Sequence, residues 1–303
     1  MNAAPMFGAL GAGYWGRRKM AGGQSGKALR MLGMVVLVAS LAACSQKKQN
    51  DTAALDSLTA EQLYKRGELA LEVRKGKNED ALADFEAVER LYPYSEWAKR
   101  ALIMQAFTQH KNKKYEEARI AAQRYLDFYP GDEDAAYASY LLALSYYDQI
   151  DEVGRDQGLT YQALQALRVV IEEYPDSEYA KSATLKFDLA FDHLAAKDME
   201  IGRYYLKRGN YTSAINRFRS VVQDFQTTTH TAEAVHRLVE SYLALGLTDE
   251  AQTAGAILGY NYQSSPFYQD SFNLLKKQGL APEAKGTSWL SQIYRQTIKG
   301  EWL

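Results

Sequence analysis

One cysteine and four histidines carry most of the chemistry open to this 303-residue chain. The histidines are His110, His193, His230 and His236, and no two have the i, i+4 spacing that sets a pair of metal ligands on one helix face. No second cysteine exists to complete a metal set or a disulfide. Glutamates and lysines are spread along what read as solvated helix faces, and no carboxylate pair stands apart for acid–base work. The run Gly11-Ala12-Gly13-Tyr14-Trp15-Gly16 satisfies the dinucleotide pattern, but no strand precedes it, so it reads as a chance match. No catalytic residue, metal or cofactor is expected.

Cys44 is set apart by its position. Met31 to Ala43 form an apolar run of 13 residues behind Lys27 and Arg30, about 20 Å as a helix against roughly 30 Å of hydrocarbon, too short to span. A basic stretch, an apolar stretch and the small residues Leu41-Ala42-Ala43 have the layout of a secretory signal. A lone cysteine is ordinarily a small buried residue. Here it closes the signal and is followed by the polar run SQKKQN, which resembles a bacterial lipobox and makes Cys44 the expected lipidation site. Three acyl chains at about 0.8 kcal/mol per buried CH₂ give lasting attachment. Residues 1–43 are therefore expected to be a signal peptide, with Met20 or Met31 as alternative starts, and 44–57 a flexible tether. Asn210-Tyr211-Thr212 has the glycosylation pattern, which a bacterial leader sets aside.

The whole chain has 36 basic and 37 acidic residues, and five basic ones precede Cys44 with no acidic residue beside them. The remainder is acidic, which argues against nucleic acid as a partner.

Beyond the tether the composition turns to alanine, leucine, tyrosine and glutamate with helical periodicity. Three prolines recur in one context: Leu91-Tyr92-Pro93, Phe128-Tyr129-Pro130 and Glu173-Tyr174-Pro175. Each ends a helix, and Ser95, Asp132 or Ser177 follows as a cap for the next. An alanine stands twelve residues before each proline, at 81, 118 and 163. These offsets resemble the tetratricopeptide repeat. Gly67, Ala81, Phe85 and Val88 fit a first unit, Ala106, Ala118 and Tyr125 a second, and Ala143, Ala163, Leu167 and Val170 a third with an insertion between Asp148 and Thr160. Gly202, Ala214, Phe218 and Val221 fit a fourth, and Leu238, Tyr242, Ala251 and Leu258 a fifth. The fold expected is all-α, a tetratricopeptide-repeat superhelix of about five helix-turn-helix units and about ten helices. Its domain spans 58–275, with N-terminal repeats over 58–175 and C-terminal repeats over 176–275. Residues 276–303 form a linker and a short terminal helix around Trp289, Leu290, Ile293 and Tyr294, either docked on the last repeat or turned to a partner.

Such arrays curve around a groove lined by their first helices. Repeat offsets place Tyr64, Ile103, Phe107, His110, Tyr137, Tyr140, Leu144 and Tyr147 there, a set suited to holding an extended or hairpin peptide. Packing between hairpins is the competing role for each ring.

The lipobox, the repeats, Tyr92-Pro93-Tyr94-Ser95, Tyr174-Pro175-Asp176-Ser177-Glu178-Tyr179 and above all Ile201-Gly202-Arg203-Tyr204-Tyr205-Leu206-Lys207-Arg208-Gly209-Asn210-Tyr211 together resemble the BamD (ComL/YfiO) family over about Leu58 to Leu275. In the insertion, Gly154-Arg155-Asp156 matches only part of the family's D-R-D string. The resemblance implies a non-enzymatic, lipid-anchored outer-membrane protein facing the periplasm. Its implied partners are the barrel subunit of the assembly machinery through its periplasmic domains, other assembly lipoproteins and unfolded β-barrel proteins. It also directs attention to Arg217 and Arg219 of the fourth repeat as a partner interface, although two solvated arginines would look the same. The alternative is another periplasmic repeat lipoprotein, an adaptor for cell-wall enzymes or the Tol-Pal division system.

Overall fold

The computed structural model describes residues 55–73, 78–285 and 288–298. The signal segment, Cys44 and most of the tether lie outside the described residues. From Thr59 onward the chain is one compact unit. Twelve helices, and no strand, occur among the described residues.

Ten of the helices pair into five hairpins: α1 (Ala60–Glu72) with α2 (Asn78–Leu91), α3 (Glu96–Lys111) with α4 (Tyr115–Phe128), α5 (Ala135–Tyr147) with α6 (Gly158–Glu173), α7 (Glu178–Lys207) with α8 (Tyr211–Asp224), and α9 (Thr231–Ala244) with α10 (Thr248–Asn261). Then come α11 (Pro266–Lys277) and α12 (Trp289–Ile298). The first helices α1, α3, α5 and α7 touch in sequence, whereas successive second helices make no comparable contact. The array therefore curves with its first helices inside.

Small residues set the hairpin crossings. A Cβ on Gly67 would lie 2.8 Å from the Phe85 ring, and one on Gly202 would collide with the Phe218 ring. Both rings are fully buried. Ser95 and Ser177 cap α3 and α7 by accepting from the Ala98 and Ala180 backbone N–H groups, and Thr59 forms a capping box with Gln62.

Asp132 corrects an expectation. Its carboxylate does not cap α5; it accepts from the Tyr125 hydroxyl at 2.5 Å and Lys99 Nζ at 2.7 Å, fastening α4 to α3. Those two donors hold its pKa near 2. Its Oδ1 also accepts the Asp134 backbone N–H at 3.1 Å, a bond to the turn that precedes α5 rather than to the helix itself.

Helix α7 is 30 residues long, about 45 Å. Its extra turns back the 148–157 connection, whose Gly154 carbonyl accepts from Lys197 Nζ at 2.6 Å. At the other end, residues after α11 fold back on α10. Gln252 Nε2 donates to the Ala281 carbonyl at 2.7 Å, and the Thr253 hydroxyl accepts from Lys285 N at 3.0 Å. Leu290 is then fully buried, and Trp289 Nε1 donates to the Tyr242 hydroxyl at 3.1 Å. The side chain of Tyr294 lies outside the described residues.

Candidate functional site

The inner face is built by α3, α5 and α7. Its expected residues divide by burial. Tyr64 is buried against Phe85 and Trp97, at 5.6 and 5.2 Å between ring centres, and burial pushes its hydroxyl up to about 12. Ile103 is buried in the α3–α4–α5 core. Tyr140 is buried too, with its hydroxyl 2.6 Å from Ser182 Oγ and its ring stacked on Tyr179. These three are packing residues between hairpins, as the competing role required.

Phe107, Tyr137, Leu144 and Tyr147 keep part of their surface open. Tyr137 packs 5.1 Å from Tyr179, and burial raises its hydroxyl to about 12, so it stays protonated and able to donate at neutral pH. His110 sits at the end of α3 with Nε2 3.0 Å from the Asp148 carboxylate and its ring edge-on to Tyr115. It ties α3 to the end of α5.

Helix α7 adds residues that repeat offsets missed. Leu185 and Leu189 are 67% and 62% exposed, one turn apart, and Lys186 lies over the Tyr140 and Tyr147 rings. The signal was available: no proline or glycine interrupts residues 176–201 after the Ser177 cap.

Arg217 and Arg219 both have intramolecular contacts. Arg217 Nη1 donates to Asp198 Oδ1 of α7 at 3.0 Å while about half its side chain remains exposed. Arg219 stands 4.8 Å from the Trp289 ring centre and donates to Gln223. The two arginines thus do different things: Arg217 is half-exposed and paired with a largely buried Asp198, whereas Arg219 is partly covered by α12. Asp198 also edges a hollow of about 440 Å³ lined by Phe187, Phe191 and Phe225.

Among the described residues no group of three or more His, Cys, Asp or Glu is placed to hold a metal. His236 Nδ1 and Ser271 Oγ are 2.8 Å apart, but both residues are buried between α9 and α11, where no substrate reaches. Among the described residues no helix is long and apolar enough to cross a membrane.

Hairpins stacked through glycine–phenylalanine crossings, with first helices inside, define a tetratricopeptide-type helical repeat protein. A family model described as outer membrane lipoprotein (YfiO) matches residues 56–257. The outer membrane protein assembly factor BamD of Caulobacter vibrioides is 44% identical over 248 residues, covering 82% of this chain and 81% of its own. That of Rickettsia prowazekii is 40% identical over 249 residues, covering 82% and 95%. Among solved structures, a thermophilic TPR protein of Thermus thermophilus aligns over 72% of this chain and 100% of its own at 20% identity and a TM-score of 0.34. The chain belongs to the BamD/YfiO family.

Proposed function

We propose that this chain is a non-enzymatic outer-membrane protein assembly factor, anchored through acylated Cys44 and facing the periplasm. It holds segments of unfolded β-barrel proteins on its inner face and docks on the periplasmic domains of a barrel subunit through α8, alongside other assembly lipoproteins. The names of its relatives support the assembly role. The observation that carries the binding reading is the row of half-open rings, Phe107, Tyr137 and Tyr147, set on rigid helices where contact area comes at little entropic cost.

For docking, Arg217 is favoured over Arg219 because its guanidinium is half-exposed and can exchange Asp198 for a partner's carboxylate. The pair is half-exposed on the arginine side only. Arg217→Gln, which keeps a donor for Asp198 and sets no second carboxylate against it, should leave the melting temperature nearly unchanged and sharply reduce co-purification with the barrel subunit from solubilised envelopes. Undiminished co-purification would remove Arg217 from the interface.

Phe107→Ala combined with Tyr147→Ala should weaken binding of an aromatic-rich barrel-strand peptide by about 1–3 kcal/mol in fluorescence anisotropy, with the helical signal intact. Unchanged affinity counts against the groove. For the anchor, Cys44→Ser should lose label from a clickable fatty acid, and equal labelling of both proteins would dismiss it.

A further inference from the structure

Helix α12 shows what the outer side of the array holds. It packs on α10, and its Leu290 is fully buried. Trp289 reaches from there to Arg219 of α8, 4.8 Å from the ring centre, and donates to the Tyr242 hydroxyl of α9 beneath at 3.1 Å. A short amphipathic helix thus seats across two successive second helices, with a first helix as floor. Its charge is positive, since Arg295 is the one charged residue between Trp289 and Ile298.

The same arrangement recurs in the N-terminal half. Second helices α4 and α6 pack on the first helices α3, α5 and α7, and between them lies a hollow of about 310 Å³ floored by α5. Leu126 of α4, Leu142 of α5, and Ala166 and Val169 of α6 give it an apolar lining, and Val169 is 41% exposed. A helix about 10 Å across is too thick to enter. It lies over the mouth and lowers a side chain, as α12 lowers Trp289.

The rim decides the sign of the occupant. Asp127 of α4 and Glu173 of α6 are the charged residues of the lining; both are exposed, and neither forms an ion pair among the described residues. Asp127 Oδ1 accepts from Gln123 Nε2 at 2.9 Å, a neutral donor that leaves its charge standing. The cations of α4, α5 and α6 are engaged elsewhere. Arg119 pairs with Glu116 and covers the Tyr146 ring, Arg124 pairs with Glu89, and Arg168 stands over the Phe187 ring of α7. An acidic helix would meet two uncompensated carboxylates here, whereas a basic one meets complementary charge.

We propose that the α4–α6 groove docks a basic amphipathic helix of a partner protein, which lowers an apolar side chain between Leu126 and Val169 and sets lysine or arginine against Asp127 and Glu173. Apolar anchors at helical spacing supply the affinity and the rim supplies the selectivity. This surface lies on the side of the hairpins away from the rings of the inner face, so it stands independently of the peptide-binding reading.

The test uses the purified chain and two fluorescent, alanine-based helices of eighteen residues, long enough to be helical in water. Both carry one leucine and tryptophan stripe, flanked by lysine in the first and by glutamate in the second. In fluorescence anisotropy, wild type should bind the lysine helix about tenfold more tightly than the glutamate helix. Val169→Asn should weaken the lysine helix about tenfold. Asp127→Lys combined with Glu173→Lys should reverse the order of the two helices, a change that loss of folding would not produce. An unchanged order in that double variant, or no binding of either helix to wild type, overturns the site. Loss of the lysine helix in Phe107→Ala with Tyr147→Ala would put it on the inner face and overturn the site equally. Self-association of wild type in sedimentation that the double reversal abolishes would assign the groove to a second copy of this chain and overturn the partner helix.

Discussion

The two halves of the array are packed to different ends. Hairpins two and three bury their apolar side chains in two separate clusters, one around Tyr125 and one around Leu167, and leave Phe107, Tyr137 and Tyr147 only partly covered. From the middle of α7 onward the chain forms one continuous core through Met199, Phe218, Leu238, Leu258 and Leu275 to Leu290. Glu233 binds Arg203 and Arg237 across α7 and α9, and those hydrogen bonds hold its carboxyl below the usual range. The folded-back tail closes the outer side. In a stacked array stability is roughly the sum of unit and neighbour terms. The contrast therefore predicts a firm C-terminal block beside an N-terminal half that keeps apolar surface available for ligand.

The largest expected effect tests that firmness. Gly202→Leu drives a side chain into the fully buried Phe218 ring inside the block and should cost about 3 kcal/mol. Gly67→Leu makes the corresponding collision with Phe85 in the terminal hairpin, where the damage can stay local. Thermal unfolding followed by circular dichroism should show the main transition falling for Gly202→Leu. For Gly67→Leu a minor early transition should appear while the main one holds. Identical profiles for the two variants would dissolve the distinction between the halves.

Trp289→Ala probes the tail's share. It removes the hydrogen bond to Tyr242, the Arg219 contact and a half-buried ring, for a loss of about 2 kcal/mol. Hydrogen exchange should rise along α10 and α8 and stay unchanged in α3 and α5. Faster exchange throughout would mean that the block supports the groove half as well.

Acid separates the halves next. His236 is buried in the block with Nδ1 2.8 Å from Ser271 Oγ and Nε2 3.6 Å from Glu240, among Arg237, Asp270 and Glu233. Burial lowers its pKa below 6.5 against the pull of the nearby carboxylates. The unfolded chain therefore takes up the proton first. The contribution is complete above about pH 6.5 and is lost as pH falls below it. Asp132, between hairpins two and three, has a pKa of about 2 against 3.8, so its contribution persists until pH drops below about 4. Urea midpoints at pH 7.5, 6 and 5 should decline for wild type and decline less for His236→Gln. Equal slopes would take His236 out of the account.

Much of this architecture is legible in the sequence because its signals are local. Gly202 with Phe218 and Gly67 with Phe85 announce hairpin crossings through a small and a large residue, 16 residues apart in one and 18 in the other, and Tyr-Pro pairs mark where second helices stop. What stays hidden depends on residues brought from elsewhere. Whether a ring is open or covered was decided by the next hairpin: Tyr179 and Ser182 of α7 cover Tyr140, whereas nothing closes over Tyr147 to the same degree. Asp198 for Arg217 and Trp289 for Arg219 likewise arrive from other helices. The length of α7 was concealed by the repeat itself, since the fourth unit was recognised from Gly202 onward and its offsets say nothing of the turns between Glu178 and Gly202.

The smallest effect compares one turn that occurs in both halves. After α3, α7 and α9 the chain makes the same reversal: Lys114, Asn210 and Leu247 donate backbone N–H bonds to the carbonyls of Gln109, Tyr205 and Tyr242 at 2.9, 3.0 and 2.9 Å. The residue before each donor must take a left-handed conformation. In the block that residue is Gly209 or Gly246, each with φ of +73°; in the groove half it is Lys113, with φ of +61°. A side chain there brings Cβ against the following carbonyl, at a penalty of roughly 1–2 kcal/mol, of which glycine's greater freedom in the unfolded chain returns part. Lys113 forms no ion pair among the described residues that its loss would forfeit. Lys113→Gly should therefore stabilise hairpin two by about 0.5–1 kcal/mol, visible as slower hydrogen exchange in α3 and α4 with α8 to α10 unaffected. The reverse substitution, Gly209→Lys, should weaken the block by a similar amount. If Lys113→Gly instead loosens α3 and α4, the left-handed turn is not a source of strain, and the softness of the groove half lies in its uncovered rings alone.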